Sequence, residues 1–98
     1  MGFKQAKRDA IQCLEQGNVR NEERNSIDTK NLFATSEVSI SEMINILKLA
    51  RGNQYESTPH HYDSNIMVHI ITTTYSGLSW YIKWYFIEPD CIFISVHH

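Results

Sequence analysis

The chain has few of the residues that build rigid or covalent frameworks. It carries two cysteines, two prolines and four glycines in 98 residues. Cys13 and Cys91 are too few and too far apart for a disulfide framework, which points to a reducing cytoplasm. No apolar run approaches the ~20 residues that cross a bilayer. Lys4, Lys7 and Arg8 lead into a mixed segment instead of an apolar stretch, so neither a leader nor a membrane partner is expected. The glycines do not cluster, which excludes a phosphate-cradling loop. There is no GxSxG elbow and no reactive-cysteine context, which removes serine- or cysteine-type nucleophilic catalysis. His60, His61, Asp63 and His69 lack CxxC or HxxxH spacing, and adjacent histidines on a loop point apart. Neither a metal nor another cofactor is therefore expected.

What is present fits one domain with a single modest core. The net charge is −2, unlike the basic balance usual for phosphate binders. Its distribution matters more. Seven of the eleven acids fall in the first half, and from Ile66 to Ser95 the only acids are Glu88 and Asp90.

Apolar residues Phe3, Ala6, Ala10 and Leu14 recur at helical spacing and predict a helix over Phe3–Gln16, stopped by Gly17. The next residues, Gly17 to Arg20, are expected to turn the chain. Ser26 or Asp28 could cap a short helix through Asn31, Leu32 and Phe33. Ser39-Ile40-Ser41-Glu42 fits a capping box and starts a helix from Ile40 to about Ala50, with Met43, Ile46, Leu47 and Ala50 on one stripe. A short strand at Tyr55 and a loop holding Pro59-His60-His61 follow. The last third, Ile66 to His98, reads as three antiparallel strands. The expectation is an α+β domain, with helices on one face of a twisted antiparallel sheet.

The middle strand, Ser79 to Ile87, alternates cleanly. Trp80, Ile82, Trp84 and Phe86 supply an apolar face, while Tyr81, Lys83 and Tyr85 carry polar heads on the other. Pairing Ile87 with Cys91 sets Tyr85 across from Phe93, Lys83 from Ser95, Tyr81 from His97 and Trp84 from Ile94. Taking Ser76-Gly77-Leu78 as the preceding turn pairs Tyr75 with Ser79 and sets His69 across from Tyr85. That register gathers His69, Tyr81, Lys83, Tyr85, Ser95 and His97 on one exposed face.

Rings that stack on bases, together with a cation, suit RNA. Metal-independent RNA cleavage needs a base for the 2′-hydroxyl, a cation for the phosphorane and an acid for the leaving oxygen. His97, Lys83, Tyr81 and His69 could fill those roles. The plainer reading is a solvated sheet face whose aromatics serve β-propensity, and on pattern alone it ranks first.

The residues also resemble a family. The first helix ends in Gly17-Asn18-Val19-Arg20, where the motility quorum-sensing regulator toxins of the RelE-like superfamily have a similar Gly-x-Val-Arg. Further likenesses are the helix around Met43 to Leu49, Tyr55-Glu56-Ser57 against Tyr-Lys-Ser, and His61-Tyr62-Asp63-Ser64 before a strand. Trp80-Tyr81-Ile82-Lys83 and the closing Asp90 to His97 complete the series in order and spacing. The resemblance implies a RelE-like fold and an endoribonuclease toxin that cleaves messenger RNA, with or without the ribosome. It also implies neutralisation by a cognate antitoxin or immunity protein. Tyr81 matches the family's active-site tyrosine. His97 stands in place of a functional lysine, and His69 roughly in place of a glutamine. Glu56 replaces a lysine important for cleavage, so either that role passes to Lys83 or His60, or this member is impaired. Tyr85, His60, Ser95 and Glu56 would contact substrate. The alternative, motivated by the acidic balance and Glu56, is a non-catalytic protein-binding module of inhibitor or immunity type that uses the sheet face. An orphan domain whose exposed aromatics form an oligomer interface is a third possibility.

Overall fold

A computed structural model describes residues 2–22 and 31–98. Among these residues, two α-helices and a five-stranded mixed sheet make an α+β fold. In chain order the elements are α1 (Phe3–Gln16), β1 (Val19–Asn21), α2 (Ile40–Leu49), β2 (Tyr55–Pro59), β3 (Met67–Tyr75), β4 (Leu78–Ile87) and β5 (Asp90–His97). The sheet order is β1-β5-β4-β3-β2.

Both helices arise from local signals in the expected places. Ala6, Ala10 and Leu14 form the buried stripe of α1, where small alanines let the helix approach closely. Gly17 ends it in the left-handed conformation, φ 77°, which costs glycine no Cβ clash. In α2 the capping box is complete: the Glu42 backbone N–H donates to Ser39 Oγ at 3.1 Å, and the Ser39 N–H donates to Glu42 Oε1 at 3.4 Å. Met43, Ile46 and Leu47 are fully buried beneath it. These side chains pack on Ile71, Ile82, Trp84, Phe93 and Val96 from one face of the sheet. No helix is long and apolar enough to cross a membrane among the described residues.

Four expectations need correcting. The segment Val19–Asn21 is a strand, not a turn; it lies parallel to β5, with Val19 opposite Cys91 and Asn21 opposite Phe93. The sheet is therefore mixed, because the β5 edge takes up backbone donors that would otherwise lack a partner. The start expected for a helix at Ser26 or Asp28 lies outside the described residues. In its described end Asn31 forms an isolated bridge to Val96 and Leu32 and Phe33 lie in a turn, attached to β5 by the Leu32 N–H donating to Val96 O at 2.7 Å.

The other two corrections concern register. Between β4 and β5, Tyr81 faces His97, Ile82 faces Val96 and Lys83 faces Ser95, as expected. A bulge then makes Ile94 the extra residue, so Trp84 faces Phe93 and Tyr85 faces Ile92. A bulge puts successive side chains on one side of the strand. That is how Phe93 keeps its place in the core while Ile94 turns to the far face. Between β3 and β4 the turn is only Ser76-Gly77, both with positive φ (54° and 78°), and Tyr75 pairs with Leu78. The whole of β3 is thereby shifted one residue from expectation, and a one-residue shift exchanges the faces.

Candidate functional site

The sheet face away from the helices carries Tyr81, Lys83 and Tyr85 from β4 and Ser95 and His97 from β5. From β2 it carries Glu56, which pairs with Ile70, itself the partner of Lys83. Tyr81 and His97 are direct cross-strand partners. Their rings stack with centroids 5.1 Å apart and planes within 18°. Both are half-buried, as are Lys83 and Ser95, whereas Glu56 is exposed. Burial, and secondarily the Glu56 carboxylate, push the Tyr81 phenol above its usual pKa. It therefore stays protonated at neutral pH, able to donate a proton or hydrogen bond but ill-suited to act as a base. A shallow hollow of about 280 Å³, lined by Asn53, Gln54, Tyr55, Glu56 and Thr72, adjoins this end through the Thr72–Tyr81 pair.

The other end of the face differs. Glu22, just past β1, and His60, just past β2, come from opposite edges of the sheet and meet at Tyr85. The Tyr85 hydroxyl donates to Glu22 Oε1 at 3.1 Å, and the same oxygen lies 3.5 Å from His60 Nε2. The His60 ring stands edge-on to Tyr85, centroids 4.8 Å apart. Tyr62 donates its backbone N–H to His60 Nδ1 at 3.1 Å, so the neutral ring carries its proton on Nε2, the atom nearest Glu22. The His60 side chain is only 8% exposed. It braces Tyr85 and is not open to a substrate, contrary to the contact role expected for it.

Between these ends lies an apolar cluster, Val68, Ile70 and Ile94, flanked by Tyr81 and Tyr85. The alternating pattern of β4 gave no sign of it. Two runs with apolar residues at adjacent positions, Ile70-Ile71 and Ile92-Phe93-Ile94, do carry the signal, because such runs belong to strands buried on both sides.

His69 is not on this face. Its partner across β4 is Trp84, and it lies in the layer between sheet and helices, 2% exposed. Its Nδ1 is 2.7 Å from the Tyr55 hydroxyl, and its ring sits 5.4 Å from Phe86 and 5.7 Å from Trp84. Burial lowers its pKa to about 4, so the ring is neutral and shares one hydrogen bond with the Tyr55 hydroxyl. The proton-transfer role expected of His69 is therefore withdrawn. Its distance from the other site residues follows directly from the two-residue turn at Ser76-Gly77.

Among the described residues, no three His, Cys, Asp or Glu side chains converge as a metal would require. His61 lies edge-on to Tyr62, with ring centroids 4.9 Å apart. Both cysteines are free thiols, and burial pushes each pKa up, which disfavours the reactive thiolate. Compared with known proteins, the chain matches no family model and no curated protein.

Proposed function

We propose that the chain is a metal-independent endoribonuclease of RelE-like type, acting on RNA at the Tyr81–His97 end of the open sheet face. The observation that carries this reading is the stacked Tyr81–His97 pair beside Lys83, an imidazole, a raised-pKa phenol and an ammonium on adjacent strands of one face. Tyr81 and Lys83 are two residues apart on β4, about 7 Å along the strand, a spacing that suits groups on either side of one phosphate.

In this mechanism His97 takes the proton of the 2′-hydroxyl, whose oxygen attacks the adjacent phosphorus. Lys83 and the Ser95 hydroxyl stabilise the phosphorane charge. The bond to the 5′-oxygen breaks, and that oxygen receives the Tyr81 phenolic proton. The products are a 2′,3′-cyclic phosphate and a 5′-hydroxyl, and no water is consumed. With His69 on the other side of the sheet, the acid is Tyr81, in keeping with a phenol that stays protonated. Glu56 stands where an attacking polyanion is least welcome and sets a limit on RNA affinity. Such an enzyme working in the cytoplasm would need a cognate antitoxin or immunity protein to restrain it.

The test is incubation of purified protein with a labelled single-stranded RNA in the presence of EDTA. Fragments ending in cyclic phosphate are expected, and both His97→Ala and Tyr81→Phe should remove them. Cleavage that survives in both variants would sink the proposal. A second reading has one observation in its favour: two carboxylates, Glu22 and Glu56, sit on the face that RNA would have to approach. They suit a protein-binding module with a basic partner. That reading predicts no RNA cleavage by the wild type and binding of a polylysine probe that is lost in Glu56→Lys.

A further inference from the structure

The flank of α1 turned away from the sheet has a charge order that the helix itself disfavours. Lys4 lies in its first turn, Lys7 and Arg8 follow in the second, and there is no acid in the first turn and no base in the last, where Glu15 sits. The partial positive charge at a helix N-terminus repels cations, and the negative end repels acids. Lys7 has a structural reason to be there: its ammonium donates to Lys48 O at 2.8 Å and Ala50 O at 3.1 Å, tying α1 to the end of α2. Lys4 and Arg8 have none. They are exposed. Among the described residues none of these cations has an ion-pair partner.

Residues 4, 8, 11 and 15 fall on one stripe at helical spacing, so Lys4, Arg8, Ile11 and Glu15 form a ridge about 16 Å long. They line an open groove with Phe3 and Lys7. Asp9 faces a separate hollow with Glu88 and Asp90, which keeps the groove's cationic end free of acids. We infer that this flank docks an acidic amphipathic helix of a partner protein. Carboxylates of the partner would meet Lys4 and Arg8, an apolar side chain would cover Ile11, and a polar or basic residue would face Glu15. The aliphatic middle of the ridge selects a peptide over RNA. So does the state of the one aromatic ring: Phe3 has the Lys7 ammonium over it, 5.5 Å from the centroid, and packs on Tyr55, which leaves no face for a base to stack on. Local choices that oppose the fold's own stability mark sites kept for another purpose. This inference stands whether or not the opposite side of the molecule cleaves RNA.

The probe is a fluorescein-labelled synthetic helical peptide with glutamates and leucines repeating on one face, titrated with the whole chain by fluorescence anisotropy. Binding with a Kd on the order of micromolar is expected. It should weaken at least about tenfold in the double variant Lys4→Glu/Arg8→Glu, and also when serines replace the peptide's leucines. The same double variant should melt at an equal or higher temperature, because it restores the charge order that the helix prefers. A merely structural role for these residues predicts a lower melting temperature instead. Absence of peptide binding would overturn the inference, as would binding that the double variant leaves unchanged. Displacement of the peptide by an equally charged single-stranded RNA at equal or lower concentration would reassign the surface to nucleic acid and overturn it too.

Discussion

His69 and His97 occupy the two strands that flank β4, yet they face opposite sides of one sheet. On the helix-covered side His69 is sealed against Tyr55, Trp84 and Phe86, neutral and hydrogen-bonded through Nδ1 to the Tyr55 hydroxyl. On the open side His97 stacks on Tyr81, half-buried, next to an ammonium and a hydroxyl. The same side chain thus lies within the core in one place and half-buried on the opposite sheet face in the other. Strand register decides which, and residue type does not. The difference teaches that a histidine on a strand has no role until its register is known.

Substitutions on the two faces should behave differently. The largest effect belongs to the covered side. Trp84→Ala should cost about 3–5 kcal/mol of unfolding free energy by urea titration, whereas Tyr85→Ala should cost about 1–2 kcal/mol, the loss of one half-buried ring and its hydrogen bond to Glu22. Equal losses would show that both faces are core. Next is His97→Ala, for which RNA cleavage should fall by roughly 10²–10⁴, the usual contribution of a general base, at nearly unchanged stability. The matching change His69→Ala should do the reverse: a marked loss of stability, with cleavage retained by the folded fraction.

The pH dependence separates the two histidines further. In the folded protein His69 titrates at about 4, below its ordinary 6.5. Between those values the unfolded chain binds the proton and the folded one does not. Stability is therefore full above about pH 6.5 and declines as the pH falls toward 4, by up to about 3 kcal/mol. Thermal melts across that window should show the slope, and His69→Phe should flatten it. Smallest is Glu56→Gln. Removing the carboxylate lowers the Tyr81 pKa toward the ordinary phenol value, readable by ultraviolet titration, and should raise any RNA cleavage a few-fold.

Much of this was written locally. The extents of α1 and α2 follow from the spacing of Ala6, Ala10 and Leu14 and from the Ser39–Glu42 box, both of which act within a few residues of chain. The faces of β4 follow from strict alternation at Trp80, Ile82 and Trp84, all buried as that period requires. The pair Tyr81–His97 was legible for the same reason, since the pattern on both strands favoured one register at that end.

What was not legible lay where the pattern is degenerate. Along β3, apolar Val68, Ile70 and Ile71 occupy both faces, so hydrophobicity could not choose between registers separated by one residue. The choice fell to the turn. Ser76 and Gly77 both adopt positive φ, a two-residue hairpin loop whose twist matches the strands, and this alone moved His69 into the core. Likewise Ile92-Phe93-Ile94 is apolar throughout and gave no sign of the bulge that turns Ile94 outward. Partners distant in sequence decided the rest: β1 along β5, and Glu22 against His60 and Tyr85. Sequence alone determined the elements and the sidedness of β4, because those depend on periodicity and caps within one segment. Tertiary structure decided which histidine shares a face with Tyr81, because register between strands is settled by turn geometry and by packing on both sides of the sheet.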